Sequence, residues 1–198
     1  MVAMYFFRHA NAEGSVDLGT ILANLEYRKD LKRGLTEEGM EQAQLRRKQL
    51  GDLVFDLCIV SPAKRCRQTA QILMGNCVEI PVIELPTLYP SPKAPNGELM
   101  WQTFEKLLYE PLSVYLESEA GEIFLQNGIE NGDAITRIIA EHSPTPQNVL
   151  IVDHAVTLQA AGSQFTSDIE IFNFKVGEAE GFKIEMNTGE IVLLGPIR

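Results

Sequence analysis

Two histidines and two arginines of this sequence are residue types suited to phosphoryl transfer. Arg8 and His9 are adjacent near the first residue, Arg65 lies further along, and His154 lies far downstream. A guanidinium can grip phosphoryl oxygens in bidentate fashion, and a positioned imidazole can accept a phosphoryl group covalently. If the four side chains meet, we expect a cationic site for phosphoryl transfer.

All four residues come at or just after the carboxyl end of a predicted strand. The strand-like apolar runs are Met4 to Phe7, Leu57 to Val60 and Val149 to Val152. Arg8 and His9 follow the first run, Arg65 lies in the first turns of the helix after the second, and His154 follows the third. Ligand crevices of open α/β sheets form at this edge. The helix starting near Ser61 adds backbone N–H donors.

The alternation of short apolar runs with amphipathic stretches predicts a three-layer αβα domain with a mostly parallel central sheet. A fourth strand is expected from Val78 to Ile83. The predicted helices run from an N-cap at Thr36 to about Leu53, from an N-cap at Ser61 with Pro62 at the first helical position to Met74, from Glu98 to Leu116, and from a cap at Asp133 to about His142. We expect one domain over residues 1–198.

Two further segments are less regular. Near the last residues, FNFKV, GFKIEM and EIVLLG alternate and are joined by glycine-containing turns, which predicts an antiparallel hairpin or meander at a sheet edge. In residues 15–32, apolar residues are spaced as on one face of a helix. We favour a surface helix there over a substrate lid.

Composition excludes several classes of function. The formal net charge of −10 disfavours a nucleic-acid partner, because a polyanion would meet repulsion. The three cysteines form no CxxC, and the three histidines lack ligand spacing, so we predict neither a metal nor another cofactor. The opening MVAMYFF is too short for a signal segment or a bilayer span. We therefore expect a soluble cytoplasmic protein without a membrane partner.

Four strings resemble motifs of the histidine phosphatase superfamily, the phosphoglycerate mutase-like proteins. FFRHANAE is similar to its RHG or RHA signature, and GLTEEGMEQAQ to its LTxxGxxQA segment. SPAKRCRQTAQIL resembles SPxxRxxQTA, and VLIVDHAV resembles the strand that ends in the second histidine. Four motifs in order are far more specific than any one. The resemblance covers about residues 3–85 and 147–195 and is nearest to the bacterial phosphohistidine phosphatase branch.

The resemblance implies a role for each matched residue. His9 would be the phosphorylated nucleophile, Arg8 and Arg65 would bind the phosphate, and His154 would hydrogen-bond the phosphoryl oxygens. Asn11 is either a further donor to the substrate or a turn residue. Arg33 is expected to be an ordinary exposed arginine rather than part of the pocket mouth.

One departure from the family pattern concerns the general acid. Many family members carry a glutamate in an LxE pattern after the third strand, where this chain has Tyr89 and Pro90. Glu84, Glu98 and Asp153 are the alternatives, although Asp153 should point away from the phosphate because neighbouring strand residues face opposite sides. General acid catalysis is typically worth ~10²–10⁴ in rate, so its absence favours leaving groups that depart readily.

The sequence therefore predicts a metal-independent phosphatase that acts on phosphohistidine in a protein or on a phosphorylated small molecule. The runner-up is phosphoglycerate mutase-like phosphoryl transfer, which would need a clear acid. A catalytically silent phosphate-binding module is a third hypothesis. Retention of both histidines and both arginines argues against the silent module, because a binding module has no need of a nucleophile.

Overall fold

The protein is seen as a computed structural model that describes residues 1–14, 25–75, 79–108 and 110–196. Within these ranges, six strands form one sheet. The strands are β1 (Ala3–Arg8), β2 (Leu57–Val60), β3 (Val82–Glu84), β4 (Asn148–Asp153), β5 (Gly181–Glu185) and β6 (Ile191–Leu194).

The sheet has the strand order β3-β2-β4-β1-β5-β6. The first four strands in this order pair in parallel, whereas β5 pairs antiparallel with both β1 and β6. The register places Arg8 opposite Asp153 and Val60 opposite Val152. The carboxyl ends of β1, β2 and β4 are therefore level with one another, which brings the residues that follow them to one edge.

Helices cover both faces of the sheet. They are α1 (Leu25–Lys32), α2 (Glu37–Leu50), α3 (Lys64–Met74), α4 (Gly97–Leu107), α5 (Leu112–Leu116), α6 (Gly121–Glu141), α7 (Ala155–Gly162) and α8 (Glu170–Asn173). Phe6 is buried on the face covered by α6 and α7, and its neighbour Phe7 on the face covered by α3. The predicted three-layer α/β class with an antiparallel edge is confirmed. The alternation of strand side chains produces two apolar faces that must both be covered.

The helices at the site edge differ slightly from their predicted bounds. The Thr36 cap is present, with its Oγ1 accepting from the Gly39 N–H at 2.9 Å, and α2 ends at Leu50. Helix α3 begins at Lys64 rather than at Pro62. The reason lies in Ser61, whose N–H still donates to the Val152 carbonyl of β4 at 3.0 Å and so prolongs the sheet.

Two predicted helices were misplaced. The stretch from Glu98 to Leu116 is broken into α4 and α5, because Leu108 adopts a positive φ of 52° and Pro111 precedes the new helix. Helix α6 begins at Gly121, so Asp133 lies inside it and is no cap. The early turns contain Gly128 and Gly132, which disfavour an isolated helix and lie here where Ala160 and Gln164 leave no room for a Cβ atom.

The segment FNFKV was wrongly predicted as a strand, because α8 ends within it. The Gln159 side chain donates to the backbone carbonyls of Ile171 and Phe174, at 2.6 and 3.0 Å, and supplies partners that a sheet would otherwise give. The segments GFKIEM and EIVLLG form β5 and β6 as predicted. Of the helix expected in residues 15–32, the part up to residue 24 lies outside the described residues. None of the described helices is both long and apolar enough to span a bilayer.

Candidate active site

A cavity of about 430 Å³ opens at the carboxyl ends of β1, β2 and β4. Arg8, His9, Arg65 and His154 all line it, and we call these four residues the cationic end. Asn11 also lines the cavity. The fold has thus brought Asn11 and the four residues of the cationic end to one cavity, as the sequence predicted.

The geometry of His9 fixes which ring nitrogen is available for reaction. Its backbone N–H donates to the Asp153 carbonyl at 2.9 Å, which anchors it to the adjacent strand end. Its Nδ1 lies 2.7 Å from the Ala10 carbonyl oxygen, and a carbonyl can only accept, so Nδ1 carries the proton. The lone pair of the neutral ring is therefore on Nε2. This atom faces Arg65, whose Nε–H donates to it at 3.3 Å.

His154 lies beside His9, with 5.0 Å between the ring centroids. Its Nε2 is 3.2 Å from Oγ of Ser61 and 3.6 Å from Sγ of Cys66. Burial and the nearby Arg65 lower the pKa of both histidines well below the usual value. Burial raises the pKa of the Cys66 thiol, so it is neutral. The site therefore holds two neutral imidazoles beside fixed guanidinium charges.

An unpredicted carboxylate, Asp30 of α1, sits on the guanidinium of Arg65. One Asp30 oxygen is 2.9 Å from Arg65 Nη2, and the Asp30 carbonyl accepts from Nη1 at 2.8 Å. The Tyr89 hydroxyl also donates to this carboxylate. Burial by itself would raise the pKa of Asp30, but Arg65, Tyr89 and Arg33 outweigh it and hold that pKa below its ordinary value. Asp30 is thus an anion inside the pocket.

Arg33 was expected to be an ordinary exposed residue, and this expectation is wrong. Its Nε–H donates to Asp30 at 2.6 Å, its side chain is only 24% exposed, and it lines the cavity. The spacing of Asp30 and Arg33, three residues apart across the end of α1, lets the pair form. The alternative that Arg33 lies at the pocket mouth is the one that the cavity lining favours.

The amide of Asn11 is committed to protein partners. Its Nδ2 donates to both carboxylate oxygens of Glu178, at 3.2 and 3.1 Å, and its Oδ1 accepts from the Thr36 hydroxyl at 2.7 Å. Arg8 likewise has a protein partner, because its guanidinium donates to the Val176 carbonyl at 2.9 Å. Glu178 itself lines the cavity, and it is a second carboxylate there, after Asp30, that the sequence analysis did not identify.

None of the three acids proposed from the sequence lines the cavity. Glu84 is exposed and pairs with Arg67 at 2.6 Å, and Glu98 accepts from Gln102 on the surface of α4. Asp153 is fully buried, and that burial raises its pKa well above the usual value. Strand alternation explains why Asp153 does not share the pocket with His154. The described carboxylates that do line the pocket are Asp30 and Glu178.

The other side of the cavity is apolar. Tyr89, Trp101, Phe104 and Tyr115 line it, and we call these four the aromatic wall. Tyr89 joins the two parts, because its ring is 4.6 Å from that of His154 and 5.3 Å from that of Trp101. No pattern in the sequence predicted this wall. Within the described residues, no cluster of three or more His, Cys, Asp or Glu side chains could hold a metal ion.

The sequence matches the family model for the histidine phosphatase superfamily (branch 1) over residues 4–195. The chain therefore belongs to this superfamily and is a hydrolase of the phosphatase kind. The resemblance stated from the four motifs is confirmed. Comparison with curated protein sequences gives no significant match.

Several solved structures share the fold at low sequence identity. The α-ribazole phosphatase from Shigella flexneri is 18% identical with a TM-score of 0.64, and the alignment covers 100% of this chain and 96% of that one. A protein histidine phosphatase, SixA, bound to tungstate is 16% identical with a TM-score of 0.56, covering 97% and 94%. A phosphoserine phosphatase from Entamoeba histolytica is 16% identical with a TM-score of 0.59, covering 98% and 96%. These likenesses support the fold and leave the substrate open.

Proposed function

We propose that this chain is a metal-independent phosphatase that forms a covalent phosphoryl intermediate on Nε2 of His9. The observation that carries the proposal is the neutral His9 ring, held through Nδ1–H by the Ala10 carbonyl with its Nε2 lone pair beside the Arg65 guanidinium. A nucleophile must be unprotonated and oriented before attack. Both conditions are met here without a base to remove a proton.

The proposed reaction has two steps. The Nε2 lone pair of His9 attacks phosphorus, and the bond from phosphorus to the leaving group breaks as the new N–P bond forms. The leaving group departs with the bonding electron pair and takes up a proton from solvent. Water then attacks phosphorus of the phosphorylated His9 and gives up a proton to solvent, the N–P bond breaks with its electron pair returning to Nε2, and inorganic phosphate leaves with His9 restored.

The other members of the cationic end stabilise the transferring group in this proposal. Arg8 and Arg65 bind the phosphoryl oxygens, and His154 hydrogen-bonds them as negative charge develops. For Asn11 we propose a positioning role through Glu178 rather than a direct contact, because its amide donors already have that partner. The guanidiniums supply the positive charge that a metal ion provides in other phosphatases.

The substrate is proposed to be phosphohistidine in a protein or a small phosphomonoester. A structure of SixA, a protein histidine phosphatase, and one of α-ribazole phosphatase both share this fold. Nucleic acid is an unsuitable partner, because the chain carries a formal net charge of −10. Mutase-like transfer remains the alternative, and it predicts that phosphate passes to a second substrate hydroxyl rather than to water.

Trapping the intermediate tests the proposal. Turnover of labelled p-nitrophenyl phosphate in EDTA, quenched in acid or base, should leave protein-bound phosphate that is acid-labile and base-stable, as expected for phosphohistidine. His9→Ala should abolish both the label and hydrolysis, whereas His142→Ala, a surface histidine, should retain both. Label on Ser61 or Cys66, or near-normal hydrolysis by His9→Ala, would refute the mechanism. Activity lost in EDTA and restored by a divalent ion would refute metal independence.

A further inference from the structure

The four rings of the aromatic wall contact one another in a row that begins at the cationic end. Tyr89 contacts His154, its ring lies 5.3 Å from Trp101, Trp101 lies 5.7 Å from Phe104, and Phe104 lies 5.9 Å from Tyr115. The Arg65 guanidinium is 5.4 Å from the centre of the Tyr89 ring. A group attached to a phosphate bound at the cationic end would therefore have these rings beside it.

The polar atoms of the wall are already hydrogen-bonded within the protein. The indole N–H of Trp101 donates to the Pro90 carbonyl at 3.0 Å, and the Tyr115 hydroxyl donates to the Leu108 carbonyl. The Tyr89 hydroxyl donates to Asp30. What the wall presents to a ligand is consequently apolar surface and not hydrogen-bonding groups. The exposed part of this surface comes mainly from Phe104 and the neighbouring Leu108. The rings of Tyr89, Trp101 and Tyr115 lie behind it, at 6%, 5% and 0% exposure.

Two charged side chains, Asp30 and Arg65, contact the wall at Tyr89. The uncharged described residues that line the cavity together with the wall include Leu88, Pro90, Leu108, Ala155, Val156 and Thr157. A carboxylate or ammonium group placed here would lose its water without gaining a counter-charge. An apolar ring would bury surface and gain offset or edge-to-face contacts.

We propose that the wall binds an uncharged aromatic group of a small phosphomonoester, and that it selects this substrate class. The inference rests on the proposed function, which places the phosphate at the cationic end. The cavity of about 430 Å³ has the size of a small-molecule site. A protein-borne phosphohistidine fits less well, because the peptide groups flanking its ring would be desolvated against apolar walls.

A binding experiment can test the proposal without turnover. Trp101 is the only tryptophan of the chain and lines the cavity, so its fluorescence reports occupancy directly. The probes are methylphosphonate, phenylphosphonate and phosphonoacetate, whose P–C bonds are not hydrolysed. The affinity for phenylphosphonate should be at least roughly tenfold higher than that for methylphosphonate. Both ligands share the phosphonate group, and the phenyl ring adds burial of apolar surface and aromatic contacts. Phosphonoacetate, which carries a carboxylate, should gain nothing over methylphosphonate.

Two variants connect this selectivity to the wall. Phe104→Ala removes a ring from it and should reduce the preference for phenylphosphonate to roughly twofold. Leu108→Gly removes an apolar lining side chain that is 61% exposed, at a residue with φ of 52° that glycine adopts without strain, so folding should not suffer. It should reduce the preference severalfold. Leu45→Ser, on the exposed face of α2, is the control and should leave the preference unchanged.

The outcomes separate this inference from the proposed function. Equal affinity of native protein for phenylphosphonate and methylphosphonate, with inorganic phosphate still bound, overturns the aromatic preference and leaves the phosphate site standing. A strong preference that neither Phe104→Ala nor Leu108→Gly reduces shows that the wall is not its cause and also overturns the inference. Failure of inorganic phosphate and all three phosphonates to bind would overturn both proposals.

Discussion

The two sides of the cavity are built in different ways. The cationic end comes from residues that follow β1, β2 and β4, where parallel ladders fix the backbone and the register aligns the strand ends. The aromatic wall comes from the chain after β3 and from the broken helices α4 and α5. The sheet thus positions the groups that we propose to react, and the helical layer positions the surface that we propose to select the substrate.

The two sides also differ in the hydrogen-bond and ion-pair partners of their own polar atoms. Beside the cationic end, the carboxylate of Asp30 pairs with Arg65 and Arg33 where an anionic ligand would bind. The aromatic wall shares this carboxylate through the Tyr89 hydroxyl, and the indole N–H of Trp101 donates to a backbone carbonyl. An arriving phosphate must therefore compete with a built-in anion, whereas an apolar ring displaces only water.

The largest expected effect concerns leaving groups, because the cationic end has no described carboxylic acid placed to protonate one. Across phosphomonoesters, kcat/KM should fall steeply as leaving-group pKa rises, with alkyl esters behind aryl esters by about 10²–10⁴. A series of substituted phenyl and alkyl phosphates measures the slope. Glu84→Gln and Glu98→Gln should leave it unchanged, because both residues lie outside the cavity. A shallow slope that becomes steep in Glu178→Gln or Asp30→Asn would identify a hidden acid.

Removing the central guanidinium should be nearly as severe. Arg65→Ala should reduce kcat/KM by about 10²–10³, because a charged donor to the transition state is lost from a buried site. Arg67→Ala, two residues along α3 and exposed beside Glu84, is the matched control and should retain native kinetics. Circular dichroism of both variants checks that they fold. A comparable loss of kcat/KM in Arg67→Ala would mean that positive charge near α3, rather than contact with the phosphate, accounts for the effect of Arg65→Ala.

Neutralising the built-in anion should have a moderate effect of opposite sign on binding. Asp30→Asn should tighten inorganic phosphate roughly tenfold, since a negative charge close to the ligand is removed. It should also lower the free energy of unfolding by about 1–3 kcal/mol, because Arg65 and Arg33 lose a charged partner. Phosphate titration and urea unfolding measure the two quantities, with Asp52→Asn on the surface as control. Weaker phosphate binding would show that Asp30 mainly holds Arg65 in place.

The smallest effect is a shift in titration. Burial and Arg65 lower the pKa of His9 and His154, so both rings should remain neutral at pH 6.5, where an ordinary imidazole is half-protonated. Protonation should occur only at lower pH. Ring resonances followed by NMR, assigned with His9→Ala and His154→Ala, measure this directly. Half-titration of either ring near pH 6.5 would contradict the electrostatic description of the cationic end.

The sequence by itself determined the strands that carry the site and identified the four residues of the cationic end. Short apolar runs predicted β1, β2 and β4, because a buried strand needs side chains on both faces, and each functional residue follows such a run. The motifs around His9, Arg65 and His154 are local strings, so their recognition required no knowledge of distant contacts. The Thr36 cap was predictable for the same reason.

Only the tertiary structure decided what surrounds those residues. Asp30 became a pocket residue because α1 packs over the site, and no local pattern distinguishes it from a surface aspartate. Trp101 and Phe104 line the cavity from α4, whose packing the sequence pattern did not indicate. Tyr115 lines it from α5, beyond the break at Leu108 and Pro111 that the sequence pattern did not predict. Hydrophobic periodicity indicates which side chains are buried, but it does not indicate which residues they pack against. The residues that contact the cationic end could therefore be identified only from the tertiary structure.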